Sequence, residues 1–173
     1  MTIRPAVDTD FLAIAAITNH YIATSAVHFG YESLTADEIR ATWTGYRERF
    51  PWLVVEEGGV GVIGYAKAGT WRERAAYAWT AETGLYLTAS ARGRGVGRAL
   101  YEHLLAELVG RGFHSAVAGI TLPNDASVAL HRRLGFVSVG TVRDAGWKHD
   151  RWHDVEFWQK RLSGEPTGHD HAR

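Results

Sequence analysis

Apolar residues recur at helical spacing in four parts of the chain, and each part is predicted to form a helix with one apolar face. The four sets are Phe11, Ile14, Ile17 and Tyr21; Ile39, Trp43, Tyr46 and Phe50; Val96, Leu100, Leu104 and Leu108; and Val128, Leu130 and Leu134. Possible N-caps stand at residues 8–10, at Thr35 with Glu38 as a capping box, and at residues 124–125. Pro51, Gly110 with Gly112, and Gly135 supply the expected ends of the last three helices.

Short apolar or alternating runs between these helices predict strands at residues 3–5, 52–57, 62–69, 79–88, 115–120, 136–142 and 155–162. Gly58 and Gly59 indicate a hairpin turn between the second and third strands. Residues 147–153, which join the last two strands, are predicted to be irregular. The resulting order, β-α-α-β-β-β-α-β-α-β-β, predicts an α/β (α+β) fold with a mixed sheet and helices on both faces.

The composition indicates one ordinary globular domain. The chain has 173 residues, is 46% hydrophobic and has a formal net charge of zero, so its bulk charge suggests no nucleic-acid or membrane-surface partner. We expect the domain to span residues 1–162, with 163–173 as a flexible tail, because the composition turns polar there. Without a long apolar run or a signal peptide at its start, the chain is expected to be cytoplasmic.

Two residue counts change the candidate chemistry. The chain has no cysteine, which excludes disulfides, thiolate metal sites and a cysteine nucleophile. Seven tryptophans are a high number and suggest aromatic-lined surfaces or an interface between chains.

A basic, glycine-rich turn joins the fourth predicted strand to the third predicted helix. Free backbone N–H groups and the dipole at a helix N-terminus attract anions, and Arg92, Arg94 and Arg98 add positive charge there. The alternative is a glycine-rich connection that happens to be basic. The turn has neither the G-x-x-x-x-G-K-[ST] pattern of nucleotide hydrolases nor the G-x-G-x-x-G pattern of dinucleotide-binding folds.

The run Arg92-x-x-Gly95-x-Gly97 resembles the [QR]-x-x-G-x-[GA] signature of the GNAT N-acetyltransferases. This resemblance implies the GNAT fold with a mostly antiparallel sheet, acetyl-CoA as co-substrate with its pyrophosphate on the loop amides, and no metal. The cofactor-binding positions that it implies are Leu85, Tyr86, Leu87, Arg92, Gly93, Arg94, Gly95, Val96, Gly97, Arg98, Asn124 and Ser127.

A second motif supports the same resemblance. The run Asn124-x-x-Ser127-x-x-x-His131-x-x-Leu134-Gly135-Phe136 is similar to a GNAT motif that commonly has tyrosine where this chain has His131. In that family the asparagine touches the pantetheine arm and the tyrosine lies near the thiol. The departure leaves two interpretations open for His131: a catalytic or substrate-contacting group, and a helix histidine with a structural hydrogen bond.

Further motifs narrow the resemblance to the phosphinothricin N-acetyltransferases and their methionine sulfone and methionine sulfoximine relatives, which also carry histidine at this position. The matching runs are Pro51-Trp52-Leu53-Val54, Gly69-x-Trp71, Ala76-Tyr77-x-Trp79-Thr80-Ala81-Glu82, Leu122-Pro123-Asn124-Asp125-x-Ser127 and Trp152-His153-Asp154-Val155-x-Phe157-Trp158-Gln159. The resemblance implies acetylation of the α-amino group of a small amino-acid analogue. It also implies a homodimer with the acceptor site close to the partner subunit.

Acyl transfer to an amine requires a base for the ammonium, a donor that polarises the thioester carbonyl, and an acid for the leaving thiolate. Glu82 is the candidate base, acting directly or through water, and its alternative is a solvated carboxylate at a strand end. His131 is the candidate acid or a substrate contact, and the resemblance implies a backbone N–H near Leu87 as the polarising donor. The expected acceptor-site residues are Phe29, Arg72, Arg74, Ala75, Ala76 and Tyr77.

A metal site is not indicated, because His149, His153 and Asp154 have no convincing metal-site spacing.

Several other functions stay open at this point. The acceptor could instead be a polyamine, an aminoglycoside or a protein N-terminus, or the chain could be a non-catalytic acyl-CoA sensor. Because there is no cysteine to form an acyl-enzyme, direct transfer in a ternary complex is the simplest mechanism.

Overall fold

The computed structural model describes residues 1–162, and the predicted C-terminal tail lies outside them. Four α-helices and seven strands follow one another in this part of the chain in the predicted order, which confirms the fold class. They are β1 (Thr2–Pro5), α1 (Phe11–Thr24), α2 (Ala36–Tyr46), β2 (Trp52–Glu57), β3 (Gly61–Thr70), β4 (Thr80–Leu87), α3 (Val96–Gly110), β5 (Ser115–Thr121), α4 (Asp125–Arg133), β6 (Val137–Lys148) and β7 (Arg151–Arg161).

The strands form one sheet in the order β1-β2-β3-β4-β5-β7-β6. All neighbours pair antiparallel except β4 and β5, which run parallel because α3 connects them as a crossover. The sheet is therefore mixed and mostly antiparallel, as expected.

Each face of the sheet is covered by a different pair of helices. Leu100, Leu104 and Leu108 of α3 are fully buried against one face, where α4 adds partly buried leucine and valine. Phe11 and Ile14 of α1 pack on the other face, together with α2. Successive strand residues point to opposite faces, so the two sides of β4 meet different surroundings.

The start of α1 and the end of α2 differ from the predictions. Residues Asp8–Asp10 form a 3₁₀ turn, and Asp10 gives α1 no side-chain cap. Its carboxylate instead accepts two hydrogen bonds from Arg4, at 2.7 and 2.9 Å, so it is used to fix the turn to β1. Helix α2 ends at Tyr46, before Phe50, although the Thr35–Glu38 capping box forms as predicted.

The prediction of an irregular segment at residues 147–153 is wrong. Strands β6 and β7 form a long ribbon that turns through His149 and Asp150, both with positive φ (50° and 57°). A two-residue turn of this kind usually has glycine or asparagine, so the sequence lacks the usual hairpin signal. Trp147 and Trp152 pair edge to face across the ribbon, at 5.4 Å between ring centroids.

No helix within residues 1–162 is long and apolar enough to span a membrane. The cytoplasmic location stays a prediction from the sequence.

Candidate active site

A gap in the sheet defines the candidate site. Strands β4 and β5 pair only from Thr80 opposite Ser115 to Glu82 opposite Val117, and beyond this point they diverge. Strand β4 continues to Leu87 without a strand on that side. An open cavity of about 1620 Å³ runs through the gap and is lined by residues from both faces of the sheet.

The backbone of β4 presents hydrogen-bonding groups to this gap. The N–H of Thr88 donates to Ile63 of β3 at 2.9 Å, so by strand alternation the backbone groups of Leu87 and Leu85 face the gap. The Tyr21 hydroxyl, from α1, donates to the Leu87 carbonyl at 2.8 Å and accepts from the Leu87 N–H at 3.3 Å. The sequence did not predict Tyr21 as a site residue. Its hydroxyl accepts from the Leu87 N–H, which is the group that was expected to polarise the thioester.

The glycine-rich turn lies at the cavity mouth and leads into α3. Gly93 and Gly95 have positive φ (72° and 77°), which glycine adopts at little cost. Gly97 packs so closely on β4 that a Cβ there would lie 3.2 Å from both Leu85 and Leu87. The turn therefore brings the free N–H groups of a helix N-terminus to the end of the gap.

The three arginines of the turn have different surroundings. Arg92 lines the cavity and donates to the Tyr21 hydroxyl at 3.1 Å. Arg98 also lines it, with an ion pair to Glu102 on the next turn of α3. Arg94 does not line it, because its guanidinium pairs with Glu57 at 2.6 Å.

Most of the positions expected to bind the cofactor meet at this cavity. Asn124 caps α4 by accepting from the Ser127 N–H at 3.2 Å. Val96 is buried in the core and, like Arg94, is not part of the cavity lining. The expected positions that line the cavity are Leu85, Tyr86, Leu87, Arg92, Gly93, Gly95, Gly97, Arg98, Asn124 and Ser127.

Glu82 lies on the α1/α2 face of the sheet, at the last pair before the gap opens. Its neighbour Ala81 belongs to the core on the α3 face, so alternation turns the Glu82 side chain the other way. Its side chain is exposed to the open cavity, and the surrounding walls partly desolvate its carboxyl, which raises the pKa of that carboxyl. The positive charges of Lys67 and Arg72 oppose that rise.

Lys67 is a cavity residue that sequence reasoning missed. It pairs with Gly84 while Gly69 pairs with Glu82, so Lys67 and Glu82 are diagonal neighbours on one face of the sheet. Its ammonium lies 5.0 Å from the ring centroid of Trp52, and burial lowers its pKa. The sequence feature that could have identified it is that it is a single lysine inside the otherwise uncharged strand β3.

His131 approaches the cavity from the α3/α4 face and is 5% exposed. Its Nδ1 lies 2.8 Å from the Ser127 carbonyl and its Nε2 lies 3.1 Å from the Tyr101 hydroxyl. Nδ1 also lies 3.4 Å from the Ser127 hydroxyl, so it either donates to the carbonyl or accepts from that hydroxyl. Burial lowers the pKa of the ring, and the Ser127 carbonyl partly offsets this.

The expected acceptor-site residues divide into two groups. Phe29 and Arg72 line the cavity, and Phe29 packs against Gly146 of the ribbon. Arg74, Ala75, Ala76 and Tyr77 are exposed and do not line the cavity of this single chain. Their assignment stays a prediction.

The loop that carries Phe29 is held by a second lysine that the sequence did not reveal. Lys148, on the ribbon, donates to the carbonyls of Ile22 and His28, both at 2.6 Å. Burial lowers its pKa.

Within residues 1–162, no three His, Cys, Asp or Glu side chains are placed to hold a metal ion. His153 is buried and its Nε2 lies 2.9 Å from the Lys148 carbonyl, so it has a partner within the ribbon.

Comparisons with known proteins agree with the geometry. Residues 14–136 match the family model described as the Acetyltransferase (GNAT) family. The chain is 48% identical over 158 residues to a phosphinothricin N-acetyltransferase of Streptomyces viridochromogenes, covering 91% of this chain and 86% of that protein. It is 38% identical to an L-methionine sulfoximine/L-methionine sulfone acetyltransferase of Salmonella typhimurium, covering 94% and 95%.

The fold is also shared with a solved relative. A GNAT superfamily phosphinothricin acetyltransferase from Sinorhizobium meliloti, in complex with acetyl-CoA, superposes with a TM-score of 0.93. It is 32% identical and the match covers 97% of this chain and 94% of that one.

Proposed function

The chain belongs to the GNAT family of acetyltransferases, and on that premise we propose that it acetylates the α-amino group of a small amino-acid analogue. Phosphinothricin, methionine sulfone and methionine sulfoximine are the proposed acceptors, since relatives at 48% and 38% identity carry these names. That the chain is an N-acetyltransferase that uses acetyl-CoA follows from the same comparisons.

The residues of the gap fit acetyl-CoA. The diphosphate suits the N–H groups and positive dipole at the start of α3, with Arg92 and Arg98 nearby. The outward backbone groups of Leu85 suit an extended arm laid along β4 as an added strand, whereas those of Leu87 are bonded to the Tyr21 hydroxyl. Acetyl-CoA supplies the acetyl group as a thioester and leaves as a thiol.

Glu82 is the proposed base for the acceptor amine. The observation that carries the proposal is the position of Glu82 at the last β4/β5 pair, where the gap opens. Partial desolvation by the cavity walls raises the pKa of its carboxyl, and a carboxylate with a raised pKa is a better proton acceptor than an ordinary one. Direct contact and relay through one water are both compatible with this role.

The charges beside Glu82 favour an acceptor that carries an acidic group. Lys67 and Arg72 face the same part of the cavity and suit the α-carboxylate, and the phosphinate where one is present. The same two cations disfavour polyamines and aminoglycosides. Because the chain has no cysteine, we propose direct transfer in a ternary complex, and an acetylated protein trapped by rapid quench would contradict it.

We also propose that two copies of the chain associate through the β6/β7 ribbon. The ribbon ends the sheet and exposes apolar side chains, namely Val137, Val139, Val142, Trp147 and Trp152. Several exposed apolar side chains on one edge of a sheet are typical of an interface. Light scattering should give about twice the 19.1 kDa of one chain, and a mass of one chain at micromolar concentration would contradict this.

The acceptor assignment is tested by thiol release from acetyl-CoA. Phosphinothricin, methionine sulfone, methionine sulfoximine, spermidine and a peptide with a free N-terminus are supplied in parallel. We expect turnover with the small acidic acceptors alone. Turnover confined to the peptide or to spermidine would refute the acceptor assignment, and acetyl-CoA binding without turnover of any of them would favour a sensor.

A further inference from the structure

Three polar side chains on the α1/α2 face of the sheet are open to the cavity. Within residues 1–162, the Glu82 carboxylate, the Lys67 ammonium and the Tyr86 hydroxyl have neither a hydrogen bond nor an ion pair. No buried side-chain oxygen or nitrogen in that part of the chain lacks a partner, so the Tyr86 hydroxyl is accessible from the cavity that this residue lines. Polar groups that line one cavity without partners of their own are typical of a ligand site.

Two glycines leave bare backbone between these side chains. Residues that share this face alternate along each strand. The cross-strand pairs on it are Tyr65 with Tyr86, Lys67 with Gly84, and Gly69 with Glu82. Among residues 1–162, a Cβ on Gly69 would meet nothing within 4 Å, and a Cβ on Gly84 would meet only the Tyr86 ring, at 3.5 Å. Gly84 therefore forms a floor that has Lys67 beside it and Glu82 and Tyr86 at its two ends.

The Tyr86 ring is held by two other rings. It stacks on Tyr65 with 5.2 Å between the ring centroids and packs edge to face on Tyr21 at 5.3 Å. Burial raises the pKa of Tyr86 to about 12, and the negative charge of Glu82 contributes to this rise. The hydroxyl therefore keeps its proton at neutral pH and can donate a hydrogen bond to a ligand at little cost in side-chain freedom.

We propose that Tyr86 is an acceptor-binding residue whose hydroxyl donates to the α-carboxylate of an amino acid lying over Gly84. This inference rests on the proposed function, in which the amine lies at Glu82. The carboxylate is bonded to the carbon that carries the amine, so an amine at one end of the floor brings the carboxylate above the floor. There the Lys67 ammonium lies beside it and the Tyr86 hydroxyl lies further along β4. The side chain of Tyr86 thus serves the acceptor, although the residue was expected among the cofactor positions.

The test compares acceptors with and without the α-carboxylate. Thiol release from acetyl-CoA is measured in the wild type and in Tyr86→Phe with methionine sulfone and with 3-(methylsulfonyl)propylamine, which lacks only the carboxylate. The propylamine is used as a competitive inhibitor where its turnover is too slow. Calorimetry gives the affinity for methionine sulfone of the protein saturated with coenzyme A. Tyr65→Phe is the matched control, because Tyr65 belongs to the same stack but bonds to Thr18 at 2.7 Å and does not line the cavity.

We expect Tyr86→Phe to lower kcat/KM for methionine sulfone roughly 10- to 100-fold, mainly through KM, as for loss of a hydrogen bond to a charged group. With the propylamine the change should stay below about twofold, because the carboxylate is missing. The midpoint of urea unfolding should not change, since the hydroxyl has no partner within residues 1–162. Tyr65→Phe should show the reverse, a lower urea midpoint with an unchanged KM, because it loses the bond to Thr18.

Gly84→Ala tests where the acceptor lies. The added methyl has only an ordinary contact with the Tyr86 ring, so the variant should fold, but it occupies the floor. We expect KM for methionine sulfone to rise roughly tenfold, as for an overpacked site, while the affinity for acetyl-CoA stays unchanged. Gly45→Ala is the control, since Gly45 lies on α2 away from the cavity and its Cβ would meet nothing within 4 Å in the described part of the chain.

Equal kcat/KM values for methionine sulfone in the wild type and Tyr86→Phe would overturn the inference. An equal loss with both amines would do so too, because the hydroxyl would then contact another part of the acceptor. Weaker binding of methionine sulfone in Tyr86→Phe, without turnover by the wild type, would reject the proposed function and leave the inference standing. A wild type that does not bind methionine sulfone would overturn both.

Discussion

Replacing Lys67 by methionine tests how charge sets the base in the cavity. Methionine keeps much of the apolar stem over Trp52 and removes the ammonium, whose charge lowers the pKa of Glu82. Lys67 and Glu82 are diagonal neighbours across β3 and β4, so their Cβ atoms are about 7 Å apart. At an effective dielectric constant of about 20, two charges at that distance interact by about 2.4 kcal/mol.

The exposed part of Glu82 reduces this value through solvent screening, and we expect a shift of roughly 0.5 to 1 pH unit. The direction in which the pH profile moves follows from the role of Glu82 as a base. Glu82 must be ionised to accept a proton, its pKa rises when Lys67 is removed, and activity is therefore lost at a higher pH than in the wild type. The acid limb of kcat/KM moves toward alkaline pH.

The assay is thiol release from acetyl-CoA between pH 5 and 9, with methionine sulfone and phosphinothricin as acceptors. Arg40→Met is the matched control, since Arg40 pairs with Asp37 on the exposed surface of α2. An unchanged acid limb in Lys67→Met would refute the electrostatic argument. A shift equal to that of Arg40→Met would do so too. A larger rise in KM for phosphinothricin than for the sulfone is also expected, because the phosphinate adds a negative charge near Lys67.

Glu82→Gln should lower kcat about 10²- to 10⁴-fold, as for loss of a general base. Calorimetry should find the affinity for acetyl-CoA unchanged. A kcat within threefold of that of the wild type would exclude the base role. Gly64→Ala should destabilise the protein by about 1–3 kcal/mol in urea unfolding, because its Cβ would lie 2.4 Å from Leu87. The control is Gly69→Ala on the same strand, where nothing lies within 4 Å, and equal losses would contradict the steric argument. Lys148→Met should lower the free energy of unfolding by about 1–3 kcal/mol, because it leaves one buried and one partly buried carbonyl unbonded. It should also raise KM for the acceptor more than for acetyl-CoA, and equal KM values for the wild type and the variant would show that the lysine does not order the Phe29 loop.

The sequence determined the elements and their order, because helices and strands depend on local periodicity. The leucines of α3 recur every four residues, and the glycines at 93–97 fit a turn before a helix. Both features can therefore be recognised from the local sequence alone. The two strands of the ribbon were predicted over residues 136–142 and 155–162, but their extension to the tip of the ribbon was not. The turn at His149 and Asp150 has positive φ without glycine, and residues 143–147 are largely exposed on both faces, so no alternation marks that part of β6.

The tertiary structure decided what surrounds each candidate group. Sequence singled out Glu82 and His131, but strand alternation turns Glu82 to the α1/α2 face while His131 lies on the α3/α4 face. They share a cavity because β4 and β5 separate after Glu82. Lys67 is distant from Glu82 along the chain and Tyr101 is distant from His131, so no local pattern connects them. The charge beside the base and the contact between His131 and Tyr101 depend on distant residues, and only the folded chain brings those residues together.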